Sequence, residues 1–185
     1  EADKLGYPKS FTIYDTDDAK SLLKTIIGEM GLDDKVYKPN VVYNRISQAK
    51  NALIFPYEYY KDKEKEASDQ TSGLSKMGEI YTTYCQRCFK AGAMDFDDLL
   101  LKTYELLDKH PDRLEHYQRK FHYIMVDEYQ DTNFSQYMIL KMLAAGHHNI
   151  CVVGDDAQSI YAFRGATIRN ILNFNREYPE MKTFK

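Results

Sequence analysis

The eight residues VDEYQDTN, 126 to 133, put Asp127, Glu128, Gln130 and Asp131 directly behind the apolar run Tyr123-Ile124-Met125-Val126. Carboxylates crowded in this way repel one another unless a cation or a basic group sits among them, so the stretch reads as half of a site. Farther along, VVGDDAQSIYAFRGA adds Asp155 and Asp156 behind a second apolar run that ends at Gly154. Acids converging on one crevice suit a hydrated magnesium ion, which keeps several waters and uses one or two carboxylates together with phosphate oxygens. A single aspartate at a strand end is enough to hold such an ion, and a neighbouring glutamate could orient or deprotonate an attacking water. The same residues allow a rival chemistry, a metal-dependent nuclease or phosphatase with Asp127, Glu128, Asp131 and Asp155 around two ions. A third class is a non-catalytic interaction module that docks a protein partner through the first half of the chain.

Other reactive residue types read as structural. Cys85-Gln86-Arg87-Cys88 has the spacing of half a zinc site, but no second pair occurs and Tyr81, Tyr84 and Phe89 around it repeat as on a helix, which favours buried helix thiols. With Cys151 these make three cysteines, an odd number that offers no disulfide framework and fits a reducing, cytoplasmic setting. Asp95, Asp97 and Asp98 open a helical pattern, where acids serve as caps and dipole partners. At 185 residues, 43% hydrophobic and 29% charged, the composition is that of a globular chain, and no apolar run approaches a membrane span. A net charge of −3 does not by itself point to nucleic acid, although a local groove can bind a strand on a near-neutral protein.

Two kinds of element must carry these residues. The first half reads as helices: one capped by Asp15, with Leu22, Leu23, Ile26 and Ile27 in register and Gly31 as its stop; one from Asn40 after Pro39; and one from about Leu74 closing near Gly92. Between the last two, PYEYYKDKEKEASDQTSG is polar and poorly periodic and is expected to be an irregular, mobile surface segment. MDFDDLLLKTYELLDKHP is a further helix, ended by Pro111. After Phe121 the pattern changes to strand (FHYIMVDE), helix (FSQYMILKMLAAG), strand (NICVVGDD) and helix (TIRNILNFNREYP). That alternation implies a parallel sheet covered on both faces, with ligands at the carboxyl ends of its strands, where the acids fall. The fold class expected is α/β, a partial parallel sheet with flanking helices joined to a mostly helical subdomain.

VDEYQDTN followed by VVGDDAQSIYAFRGA closely resembles motifs II and III of superfamily 1 DNA helicases of the UvrD, Rep and PcrA group. Upstream, FTIYDTDDAKSLL, ISQAKNAL and MDFDDLLLKTYELLDKHPDRLEHYQRKFHYIMVDEYQDTN look like the 1B subdomain and its return into subdomain 1A, so the resemblance covers essentially the whole chain. It implies a helical 1B-like subdomain over residues 1–92 and part of a RecA-like 1A subdomain, of the P-loop NTPase fold, over residues 93–185. It further implies ATP and magnesium as cofactors, single-stranded DNA and duplex junctions as partners alongside repair or replication proteins, and translocation 3′ to 5′. Carried over residue by residue, Asp127 holds the magnesium of Mg-ATP and Glu128 activates the water that attacks the γ-phosphate. Gln158 touches that phosphate, Tyr161 and Phe163 lie against DNA bases, and Arg164 couples the two sites. The family usually has Trp where this chain has Phe163, which keeps a stacking face but a smaller one. No G-x-x-x-x-G-K-[ST] loop occurs in the 185 residues, so the chain is read as a piece of a larger helicase, expected to be inactive by itself.

Overall fold

The computed structural model describes residues 1–155, 174 and 176–184. Contacts gather these into two compact units, Glu1–Thr103 and Tyr104–Lys185.

The first unit is built around helices α1 (Thr16–Glu29), α2 (Pro39–Asn51) and α5 (Met77–Lys90). Asp15 starts α1 by accepting from the amides of Asp17 and Asp18 at 2.8 and 2.9 Å, and Asp18 returns the bond to the Asp15 amide, a reciprocal cap. Gly31, at φ 64°, takes the left-handed turn just beyond its end. Leu23, Ile26 and Ile27 of α1 then close against Val42, Ile46 and Ala49 of α2 and Met77, Ile80, Tyr81, Tyr84 and Cys88 of α5. Tyr81 and Tyr84 enter this core fully buried because each hydroxyl finds an acceptor there, Tyr81 on the Ile54 carbonyl at 2.9 Å and Tyr84 on Asp95 Oδ2 at 2.8 Å.

Two features depart from a purely helical first half. Strands β1 (Thr12–Tyr14) and β2 (Ala93–Asp95) pair in parallel, Thr12 beside Ala93 and Tyr14 beside Asp95. Three residues are too short for alternation to show in a sequence, and the pairing joins segments far apart in the chain. Gly92, at φ 61°, leads into β2, and a Cβ there would come within 2.9 Å of Pro8. The segment expected to be irregular is instead two helices, α3 (Pro56–Tyr59) and α4 (Lys63–Thr71). Its periodicity is weak because α4 buries only a polar residue, Asp69, which takes the Tyr59 hydroxyl at 2.7 Å and lies 3.4 Å from the Arg45 guanidinium. Polar contacts, not an apolar stripe, hold it.

Helix α6 (Phe96–Lys109) begins on a buried charge cluster. Lys50, with a fully buried side chain, stands 2.7 Å from Asp95 and 2.9 Å from Asp98. Asp95 and Asp98 also cap each other's amides, so the acids do open the helix as caps while forming an ion cluster that their local spacing does not announce. Burial works against the Lys50 ammonium, but Asp98 and Asp95 outweigh it and hold its pKa well above the usual range. Burial likewise pushes both carboxyls up; at Asp95 the attraction of Lys50 wins and the pKa is lowered, while Asp98, which also feels Asp95, stays raised.

In the second unit, Pro111 opens α7 (Pro111–Lys120), a helix that buries no residue. Strands β3 (Ile124–Val126) and β4 (Ile150–Val152) flank α8 (Phe134–Ala144) in the chain and pair in parallel, with Ile124, Met125 and Val126 beside Ile150, Cys151 and Val152. The strand, helix, strand order read from the sequence is therefore present. Cover on both faces is not found among the described residues: Ile124 and Val126 are half-buried, whereas Met125 is 80% and Tyr123 79% exposed. Tyr129, Phe174 and Tyr178 supply a small aromatic core, with Tyr129 edge-on to Phe174 and Phe174 stacked on Tyr178. The helix expected over TIRNILNFNREYP falls mostly outside the described residues. Among the described residues no helix is long and apolar enough to cross a membrane.

Candidate functional site

The parallel ladder does not stop at the ends of β3 and β4. Val153 donates to the Val126 carbonyl at 2.8 Å and Tyr129 donates to the Val153 carbonyl at 2.9 Å, so the chain beyond each strand stays fastened to the other. Between those two bonds lie Asp127 and Glu128. Their side chains are exposed, as is that of Asp155 beyond β4. All three acids thus sit at the carboxyl ends of neighbouring parallel strands, the position at which open α/β sheets bind ligands.

The backbone turns sharply at this point. Glu128 adopts φ 51° and ψ 40°, a left-handed conformation that disfavours any residue with a Cβ. Its amide donates to Asp127 Oδ1 at 2.9 Å, which fixes one oxygen of that carboxylate. Among the described residues no donor reaches Oδ2. Immediately after the turn, Tyr129 and Gln130 plunge inward, 2% and 1% exposed. Burial raises the Tyr129 phenol above its ordinary range and keeps it neutral.

Gln130 is the polar centre of the arrangement. Its Nε2 donates to Glu128 Oε2 at 2.6 Å and its Oε1 accepts the Asp155 amide at 3.1 Å. One carboxamide therefore connects the acid turn after β3 to the loop after β4. In VDEYQDTN, Gln130 is one polar residue among several with no role legible from the string, because an amide two places from an acid carries no signal of what it bonds. Behind it, Thr132 donates to the Tyr129 carbonyl at 2.7 Å, and Asn133 and Gln136 cap α8 reciprocally. Asp131 points partly inward, its Oδ1 buried without a hydrogen-bond partner among the described residues.

Gln130 thus links the Glu128 side chain to the Asp155 backbone, and Asp127 is tied to the same turn through the Glu128 amide; among the described residues no three acids group closely enough to hold a metal ion together. Asp156, Gln158, Tyr161, Phe163 and Arg164 lie outside the described residues. The donor set at the strand tips is hard oxygen, and Asp127 offers one carboxylate oxygen oriented by backbone and one unengaged among the described residues. Both properties fit magnesium, which takes one or two carboxylates and completes its shell with water and phosphate. Cys85 and Cys88 stand elsewhere, on α5, and burial pushes both thiols up to about 12, which makes them poor metal ligands and poor nucleophiles.

A family profile described as the UvrD/REP helicase N-terminal domain matches residues 1–179. Proteins named ATP-dependent DNA helicase PcrA from Staphylococcus aureus strain COL and from Staphylococcus epidermidis are each 44% identical to this chain over 183 residues. The match covers 99% of this chain and 24% of each relative, so the chain spans about a quarter of the length of the curated relatives it matches.

Proposed function

The chain belongs to the UvrD/REP helicase family, and on that premise we propose that Asp127 and Glu128 are the metal-binding and water-activating acids of an ATP-dependent DNA helicase. The observation that carries the reading is the placement of these two residues on one exposed turn at the carboxyl tip of β3, with Glu128 oriented from behind by Gln130. Magnesium, when bound, neutralises charge on the β- and γ-phosphates. Asp127 would hold it through the carboxylate whose orientation the Glu128 amide sets. Glu128 would orient a water and accept its proton as the water oxygen bonds to the γ-phosphorus and the bond to the ADP oxygen breaks. The departing ADP oxygen carries the electron pair away.

The remainder of the proposal extends to residues beyond those described. Gln158 is assigned to the γ-phosphate, Tyr161 and Phe163 to stacking on single-stranded DNA, and Arg164 to coupling between the two. Stacking on an aromatic face is worth roughly 1–3 kcal/mol per base and tolerates any sequence, as a motor on arbitrary DNA requires. We assign residues 1–92 to the 1B-like subdomain and 93–185 to the RecA-like 1A subdomain, with 3′ to 5′ movement, action at duplex junctions, repair or replication partners and a cytoplasmic setting. Three free thiols support the last of these.

The test is Glu128→Gln in a full-length helicase carrying this segment. ATP binding should persist while hydrolysis falls at least about a hundredfold, the scale for losing a positioned base. Near-normal turnover would refute the assignment.

A further inference from the structure

We propose that Gln130 is the positioning residue that holds the Glu128 carboxylate for water activation and ties it to the loop leaving β4. The proposal rests on the reading of Glu128 given above. Among the described residues, Gln130 Nε2 is the one donor to the Glu128 carboxylate, at 2.6 Å. Glu128 otherwise projects from an exposed left-handed turn, where no other described residue donates to its carboxylate. A base that swings freely spends little time in line with its water, so this single hydrogen bond has catalytic leverage.

The chemistry at the position admits few alternatives. An ionised carboxylate only accepts, and the Asp155 amide only donates, so the group between them must present a donor and an acceptor on one side-chain end. A carboxamide does this without charge. Its orientation is also determined: a flipped amide would face oxygen to the Glu128 carboxylate and nitrogen to the Asp155 amide, losing both bonds. At 1% exposure the Gln130 carboxamide is itself shielded from bulk water, so its hydrogen bonds go to protein groups.

The same side chain gives the site a mechanical link. Asp155 begins the run Asp155-Asp156-Ala157-Gln158, and its amide sits on Gln130 Oε1 at 3.1 Å. A displacement of the loop that draws the Asp155 amide away pulls on the carboxamide whose other end orients Glu128. Base orientation and loop position are thereby tied through one residue, with Tyr129 and its bond to the Val153 carbonyl as the fixed point between them.

Single-turnover ATP hydrolysis in the full-length helicase, with saturating single-stranded DNA, tests this. Gln130→Leu should lower the rate about 10- to 100-fold while KM for ATP moves by less than about threefold, because binding groups are untouched. Gln130→Glu, which keeps the size and the acceptor but sets carboxylate against carboxylate, should be at least as slow. The decisive measurement is the cycle with Glu128→Gln. If Gln130 acts through Glu128, Gln130→Leu in the Glu128→Gln background should cost less than about threefold more, whereas a general structural defect would multiply the two losses. A multiplied loss, or Gln130→Glu within about threefold of the parent rate, overturns the positioning role. Should Glu128→Gln itself turn over normally, the reading of Glu128 fails and takes this proposal with it. A dead Glu128→Gln beside a normal Gln130→Glu sinks the proposal alone.

Discussion

Glu128 combines two demands that pull against each other. Its carboxylate is the candidate base, yet its backbone is left-handed, a conformation that costs a residue with a Cβ about 1–2 kcal/mol. Glycine would relieve that cost and remove the chemistry. Glu128→Gly should therefore be more stable than Glu128→Ala by about 1 kcal/mol, read from urea midpoints of the two variants. Equal midpoints would mean that the turn at φ 51° carries no strain. Local strain of this kind is found where surrounding bonds over-determine a residue, and here the surrounding bonds are the Val126 to Val153 and Val153 to Tyr129 links and the Gln130 amide.

At the scale of elements, the junction of β2 and α6 is held by charge. Three carboxylates, Asp95, Asp97 and Asp98, crowd near one ammonium, Lys50, and removing the ammonium leaves acids buried without it. Lys50→Met should destabilise the chain by about 3–5 kcal/mol, the scale for breaking a buried pair on one side. A midpoint within error of the parent would show that the cluster does not hold the junction. Asp97 makes a pH-dependent prediction. Burial is the largest cause of its raised pKa, Asp95 adds to it, and hydrogen bonds from Ser47 and Asn51 oppose it. A carboxyl whose folded pKa is raised destabilises the fold while it is ionised, and that penalty disappears once pH falls below the unfolded value of 3.8. Asp97→Asn, which can still accept from Asn51, should thus be as stable as the parent or more so at neutral pH. The advantage should shrink as pH approaches 3.8, and an advantage that grows toward acid would reverse the assigned sign.

For the molecule as a whole, the acids of the site are present without a phosphate-binding loop in the 185 residues. Phosphoryl transfer depends on positioning and charge neutralisation from several directions, and two carboxylates at a strand tip supply only part of that. Titration of this 185-residue chain with Mg-ATP in a calorimeter should give no saturable binding in the micromolar range; a clear micromolar isotherm would mean that the strand-tip acids suffice for nucleotide capture. Magnesium-dependent DNA cleavage by the chain alone would instead favour the two-ion nuclease chemistry that Asp127, Glu128, Asp131 and Asp155 also permit.

Much of this protein is written locally. Asp15 and its acids, the spacing of Leu23, Ile26 and Ile27, the stop at Gly31, and the strand, helix, strand succession from Ile124 to Val152 each act over a single turn or element, and each is realised. The VDEYQDTN string is local as well, so the acids and the strand that presents them were legible. What only the tertiary structure decided are the contacts between residues distant in the chain: the pairing of β1 with β2, the Tyr59 to Asp69 bond that turns a polar segment into a helix, Lys50 among Asp95 and Asp98, and Gln130 between Glu128 and Asp155. The reason is the same in each case. A polar side chain signals its own hydrogen-bonding capacity and nothing of its partner, and burial, which makes that partnership obligatory, comes into being only when the chain has closed.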